Sequence, residues 1–152
     1  MAAHPEQEQE TGGTGPGHRS VSMSRTGRGT YAVSNVRGGI LHLGSGESED
    51  FTPVELFLAA IAGCSAVDVD FITTRLAEPT EFLVSAAGEK LRDDRGNHMG
   101  EIEVSFRVRF PEGEDGDRAR DRLPRAIEQS HDRLCTVSRT VQLGTTIHMS
   151  EV

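Results

Sequence analysis

Residues 56–67 form a run that carries no charge, and it opens directly after a set of helix-starting residues. Thr52 suits the N-cap, Pro53 the first helical position, and Glu55 the place that closes a capping box. The spacing predicts a helix that starts at Pro53 and ends near Ala77, because Pro79 follows. Across residues 56–67 this helix is apolar all round. Such a helix must be covered on most sides, by its own sheet or by a partner subunit. The uncharged run is well short of the ~20 residues that a bilayer span takes, so no membrane span is expected.

Strands are expected on both sides of it. Residues 20–25 and 29–35 alternate small, polar and apolar side chains, and 39–43 is a short apolar strand. Gly27 and Gly38-Gly39 mark the turns of this antiparallel meander. Residues 44–50 form an acidic loop. Further on, 81–91 suits a strand, 92–97 a turn, and 100–110 a second strand. In the latter, Ile102, Val104, Phe106, Val108 and Phe110 face one way, and Glu101, Glu103, Ser105, Arg107 and Arg109 the other. After a loop at 111–116, residues 117–134 show helical spacing at Leu123, Ile127 and Leu134, with a kink or second start expected at Pro124. Residues 135–140 suit a short helical turn, and 141–149 alternate as a final strand. The expected order is β-β-β-α-β-β-α-β, an α+β fold with antiparallel sheets around a central buried helix.

The length fits one domain. Residues 1–19 hold almost no large apolar side chains and read as a disordered tail. The single domain is then 20–152. The formal net charge of −8, one Tyr and no Trp argue against nucleic-acid binding. The glycines near 27–29 and 38–39 match no phosphate-binding loop, so no cofactor is expected. His131 and Cys135 have the i, i+4 spacing of a metal pair, but two cysteines and no clustered second His speak against a metal site. The N-terminus carries no apolar signal segment, which suggests a cytoplasmic protein. In that reducing setting a cysteine pair is more often catalytic or metal-binding than a staple.

The two cysteines are Cys64, inside the apolar helix, and Cys135, at an expected helix start. An ordinary thiol near pKa ~8.5 is only about 3% thiolate at pH 7; at pKa ~6 it is about 90% thiolate, for about 3.4 kcal/mol of differential stabilisation. Cys64 has no cation on its own helix, and Asp68, one turn on, works against its thiolate. Taken alone, a mid-helix Cys in apolar surroundings is a small core residue. Cys135 is better placed, since the free N–H groups of a helix beginning at Thr136 favour thiolate; the alternative is a Cys that only fills a helix junction.

The segment Pro53-Val54-Glu55-Leu56-Phe57-Leu58-Ala59-Ala60-Ile61-Ala62-Gly63-Cys64 resembles the central-helix motif of the OsmC/Ohr family of osmotically induced and organic-hydroperoxide-resistance proteins. Leu134-Cys135-Thr136-Val137 resembles the segment that bears the family's second cysteine. Gly63-Cys64-Ser65-Ala66-Val67-Asp68-Val69 is similar to the OsmC-like branch. The resemblance covers about residues 20–152. It implies an OsmC-like fold, an intertwined homodimer, and a thiol peroxidase reducing organic hydroperoxides with electrons from a dithiol. It implies Cys64 as the peroxidatic cysteine and Cys135 as the resolving one. Arg28 best matches the Arg that holds the first cysteine as thiolate, with Arg25 the fallback. The family's Glu falls at Val54, and Glu55 stands one residue off, about 100° around the helix.

Two functions remain open from the sequence. The first is the peroxidase, with weak activity toward organic hydroperoxides that is still stronger than toward hydrogen peroxide. The second is a non-peroxidatic member that binds a small apolar ligand or senses redox state. Neighbouring thiols with an Arg over Cys64 favour the first, and separated thiols with a sealed apolar pocket the second.

Overall fold

The structure is a computed structural model that describes residues 15–152. Most of the expected 1–19 tail therefore lies outside the described residues. The chain divides at Leu56/Phe57 into two compact units, each described by itself.

The first unit holds the meander β1 (Ser22–Gly27), β2 (Thr30–Ser34) and β3 (Ile40–Leu43). These pair antiparallel in the order β1-β2-β3, with Arg25 opposite Tyr31 and Tyr31 opposite Leu43. The β1–β2 turn is Arg28-Gly29, where Gly29 adopts φ 72° that a side chain would disfavour. Asn35 shapes the next turn: its Oδ1 accepts from the N–H groups of Arg37 and Gly39, both at 3.0 Å.

Helix α1 (Pro53–Thr73) begins as the capping residues predict. The Thr52 N–H donates to Glu55 Oε2 at 2.8 Å, and the Glu55 N–H donates to Thr52 Oγ1 at 3.3 Å. The helix ends at Thr73, short of Ala77. The Thr73 hydroxyl bonds back to the Val69 carbonyl and the Thr74 hydroxyl to that of Asp70, and the chain then turns before Pro79. By length and composition α1 is apolar enough to cross a membrane. Its buried positions are confined to one stripe of Ile61, Ser65, Val69 and Thr73. Val67 and Phe71, on other faces, are 43% and 56% exposed. The expectation of a helix buried on most sides is thus met along one face only within a single chain.

In the second unit, β4 (Glu81–Asp93) and β5 (Gly96–Arg109) form one long antiparallel hairpin. It is longer than predicted because its turn is tight. Asp93 Oδ1 accepts from the N–H groups of Arg95 and Gly96, and Gly96 sits at φ 133°. The alternation of β5 is as read: Ile102, Val104, Phe106 and Val108 are half-buried while their neighbours are exposed. Phe82 and Phe106 meet edge to face across the pair.

Helix α2 (Glu114–Gln129) starts before the expected Asp117. Glu114, Asp115 and Asp117 occupy its first turn, where carboxylates are favoured by the helix dipole. Gly116 is required there, since a Cβ would collide with the Pro111 carbonyl oxygen. The helix runs through Pro124 without dividing. The break comes later, at a π-helical turn (Ser130–Leu134) in which the Cys135 N–H reaches the Ser130 carbonyl at 2.9 Å.

The expected final strand at 141–149 is not formed. Val141 and Leu143 belong instead to α3 (Thr136–Leu143). Gly144, at φ 63°, ends this helix, with its N–H bonded to the Val141 carbonyl. A strand also needs a pairing edge for its backbone groups, and no described strand pairs with residues 145–152. The order is therefore three strands, a helix, a hairpin and two helices joined by a π-turn: an α+β fold with antiparallel sheets.

Candidate functional site

The second unit brings the two cysteines together. Cys135 is the N-cap of α3, with its backbone extended at φ −70°, ψ 101°, and is fully buried at 0% exposure. A cap residue aims its side chain at the free N–H groups of the first turn. Here the Ser138 N–H donates to Cys135 Sγ at 3.4 Å. Ser138 Oγ lies 3.2 Å from the same sulfur, accepting the proton of the thiol or donating its own to the thiolate. From α1, Ser65 and Cys64 lie near enough to act on the same sulfur.

These contacts split the acidities of the two thiols. Burial pushes Cys64 up, the neighbouring Cys135 and Asp68 push it further the same way, and a backbone hydrogen bond from Val137 only partly offsets them. Burial also pushes Cys135 up, but hydrogen bonds from Ser138, Ser65 and Cys64 outweigh it and bring the thiol below its ordinary value. The two thiols are therefore unequal: Cys135 is the readier thiolate and Cys64 the one that keeps its proton. The expected opposition between Asp68 and a Cys64 thiolate is present, as is the helix-start stabilisation of Cys135.

A second interaction links the same two segments. The Ser130 hydroxyl, 1% exposed, donates to Asp68 Oδ2 at 3.0 Å. Beside the thiols lies a cavity of about 380 Å³. Its walls are mostly apolar, with Ile61, Ile102, Val104, Phe106, Ile127 and Val141. Ser65 and Ser138 line it too, so the groups that bond Cys135 also border the cavity. His131, whose Nδ1 is 2.8 Å from Asp132 Oδ1, and Gln142 add polar edges.

The other two residues singled out from the sequence lie in the first unit. Glu55 is in the first turn of α1, engaged in the capping box. Arg28 is exposed in the β1–β2 turn, and Arg25 is exposed on β1. No ion pair among the described residues joins Arg28 to Glu55. Three site residues escaped the sequence reading. Ser138 carried a signal, since it stands three residues after an N-cap candidate, the position that a cap side chain reaches. Ser65 and Ser130 carried none, because their roles depend on how α1 and the π-turn pack.

The antiparallel α+β fold thus carries one cysteine on α1 and the other at the start of α3. A model of the family described as OsmC-like protein matches residues 45–150, and the chain belongs to that family. It is 29% identical over 132 residues to an uncharacterised protein of Mycobacterium tuberculosis H37Rv, covering 86% of this chain and 93% of that one. Its fold is similar to that of an OsmC-like protein of unknown function from Vibrio cholerae, with a TM-score of 0.69 at 12% identity over 84% of this chain and 95% of that one. It is also similar to the organic hydroperoxide resistance protein OhrB of Bacillus subtilis, with a TM-score of 0.51 at 15% identity over 81% and 90% of the two chains.

Proposed function

We propose that this chain is a thiol-dependent peroxidase that reduces organic hydroperoxides. The observation that carries the reading is the neighbouring Cys64 and Cys135, with Ser65 and Ser138, which act on the Cys135 sulfur, lining a largely apolar cavity. The name of the Bacillus subtilis neighbour points the same way.

In this mechanism Cys64 attacks the terminal oxygen of the hydroperoxide. The O–O bond breaks, Cys64 becomes a sulfenic acid, and the departing alkoxide takes a proton to leave as an alcohol. The neighbouring Cys135, the readier thiolate, gives the Cys64 proton a place to go: it accepts that proton as Cys64 attacks and releases it to the departing oxygen. Cys135 then attacks the Cys64 sulfur as thiolate, the S–O bond breaks, and the departing hydroxide takes a proton from solvent and leaves as water. The resulting disulfide is reduced by an external dithiol through two exchanges. The cavity takes the apolar part of the substrate, which favours organic hydroperoxides over hydrogen peroxide.

Arg28 is the cation assigned to offset burial and Asp68 at Cys64, with Arg25 as the alternative. Arg suits this because it stays charged when desolvated. Glu55 keeps its cap. A second copy of the chain is assigned to the apolar faces of α1, where Val67 and Phe71 are exposed, giving a homodimer. Sedimentation at micromolar concentration checks it: a dimer is expected, and a monomer contradicts the assignment.

A second reading is favoured by the raised thiol of Cys64: a protein that binds a small apolar ligand, or senses redox state, without turning over peroxide. Stopped-flow measurement of thiol loss with an alkyl hydroperoxide and with hydrogen peroxide separates the two. Faster loss with the alkyl hydroperoxide supports the peroxidase. A Cys64 that stays unreactive to both, even above pH 9, supports the binding protein.

A further inference from the structure

We propose that Asp68 and Ser130 are positioning residues, a clamp that holds the Cys135-bearing turn against the Cys64-bearing helix so that oxidation closes a disulfide within one chain. Ser130 grips both sides. Its hydroxyl donates to Asp68 Oδ2 at 3.0 Å, and its carbonyl accepts the Cys135 N–H at 2.9 Å. Asp68 stands one helical turn after Cys64 on α1. The clamp thus joins segments 62 residues apart in sequence through one side-chain bond, and each end lies within a few residues of a cysteine.

The local backbone makes this bond matter. Ser130 opens a π-helical turn, a wider ring than the α2 helix before it, and Cys135 closes that ring. Where the turn sits sets where Cys135 sits. Ser130 is buried at 1% exposure, so without Asp68 its hydroxyl loses the one partner described for it. Asp68 also disfavours the Cys64 thiolate, so a carboxylate there has a cost for a thiol enzyme. Gripping Ser130 is the compensating role.

The inference rests on the thiol-pair reading above, but its test needs no peroxide. Oxidised dithiothreitol is attacked by one cysteine thiolate to give a mixed disulfide. The second cysteine displaces reduced dithiothreitol, which carries away two electrons and two protons. The full chain is equilibrated at pH 7 in dithiothreitol redox buffers, acid-quenched, and its Cys64–Cys135 disulfide fraction measured by mass spectrometry. Ser130→Ala and Asp68→Ala are each expected to move the equilibrium about tenfold toward the dithiol, about 30 mV, and the double variant to add nothing further. Asp68→Asn loses the charge but keeps an oxygen acceptor, and is expected to stay within about threefold of wild type. Single variants that exchange as wild type, additive losses in the double variant, or Asn behaving like Ala would each overturn the clamp. If Ser130→Ala does not fold, the comparison of Asp68→Ala with Asp68→Asn decides alone: a gap of about tenfold supports the clamp and equality overturns it. A wild type that obeys these expectations yet reduces no hydroperoxide would count against the peroxidase and leave the clamp standing.

Discussion

The two segments that carry the cysteines treat the same atom in opposite ways. On α1, Cys64 sits in mid-helix, where its own helix uses every backbone N–H, and one backbone N–H from Val137 is outweighed by burial, Cys135 and the negative Asp68. At the junction of the π-turn and α3, Cys135 is more deeply buried, yet it faces a free helix N–H and two serine hydroxyls. Burial alone would raise both thiols. The difference shows that hydrogen-bond donors around a sulfur, rather than its depth, decide which member of a buried pair ionises first.

The largest test of this contrast removes one side of it. Cys135→Ser is expected to lower steady-state hydroperoxide turnover by about a hundredfold or more, because the Cys64 sulfenic acid then has no partner sulfur in the chain. Excess peroxide should drive Cys64 on to sulfinic acid, seen as a gain of two oxygens by mass spectrometry. Turnover near wild type would show that an outside thiol, rather than Cys135, resolves Cys64.

Arg28→Ala probes the other side. It is expected to raise the Cys64 thiol by at least one pKa unit and slow peroxide reduction about tenfold, with the fold intact by circular dichroism. The pH dependence of Cys64 alkylation in a Cys135→Ser background reads it. Identical titrations with and without Arg28 would remove Arg28 from the activation scheme.

Ser138→Ala should act on Cys135 alone. It deletes one hydroxyl bonded to the sulfur while keeping the backbone N–H, so the Cys135 thiolate population at pH 7 should fall about threefold to tenfold. Thiolate absorbance followed against pH in a Cys64→Ser background measures it, and an unchanged curve would show that Ser138 does not set the acidity of Cys135.

The smallest effect is on stability, and its sign differs between the two sites. Cys135 has a lowered folded-state pKa, so its contribution is present above the unfolded value near ~8.5 and is lost as pH falls through the folded value. Cys64 has a raised one, so its contribution is present below the unfolded value and is lost as pH rises through the folded value. Cys64→Ser should therefore leave a protein that gains stability as pH rises toward ~8.5, and Cys135→Ser one that loses it above ~9, each by about 1.4 kcal/mol per tenfold change in acidity. Urea unfolding at several pH values reads both slopes, and slopes of the same sign would break the comparison.

What the sequence makes legible follows the same division. Local chemistry is readable: Thr52, Pro53 and Glu55 announce the start of α1, and strict alternation from Glu101 to Arg109 announces β5. Both signals depend only on near neighbours. Residues 141–149 alternate like a strand, but Val141 and Leu143 satisfy either a strand or the last turn of a helix, and Gly144 settles it for the helix. The pairing of Cys64 with Cys135 entered through the family resemblance rather than through spacing. Ser65 and Ser130 were invisible because each acts through a contact with a distant segment, Ser65 with Cys135 and Ser130 with Asp68. A π-turn leaves no periodic mark by which the place of Ser130 could be foreseen.

The most direct test of the account is the product of a single oxidation. The reduced full chain is treated with one equivalent of an alkyl hydroperoxide, quenched with acid and digested without reductant for mass spectrometry. The account predicts the loss of two hydrogens from the intact chain and one linked peptide pair joining Cys64 to Cys135. Cross-links only between chains, or a stable sulfenic acid on Cys64 with Cys135 still free, would contradict it.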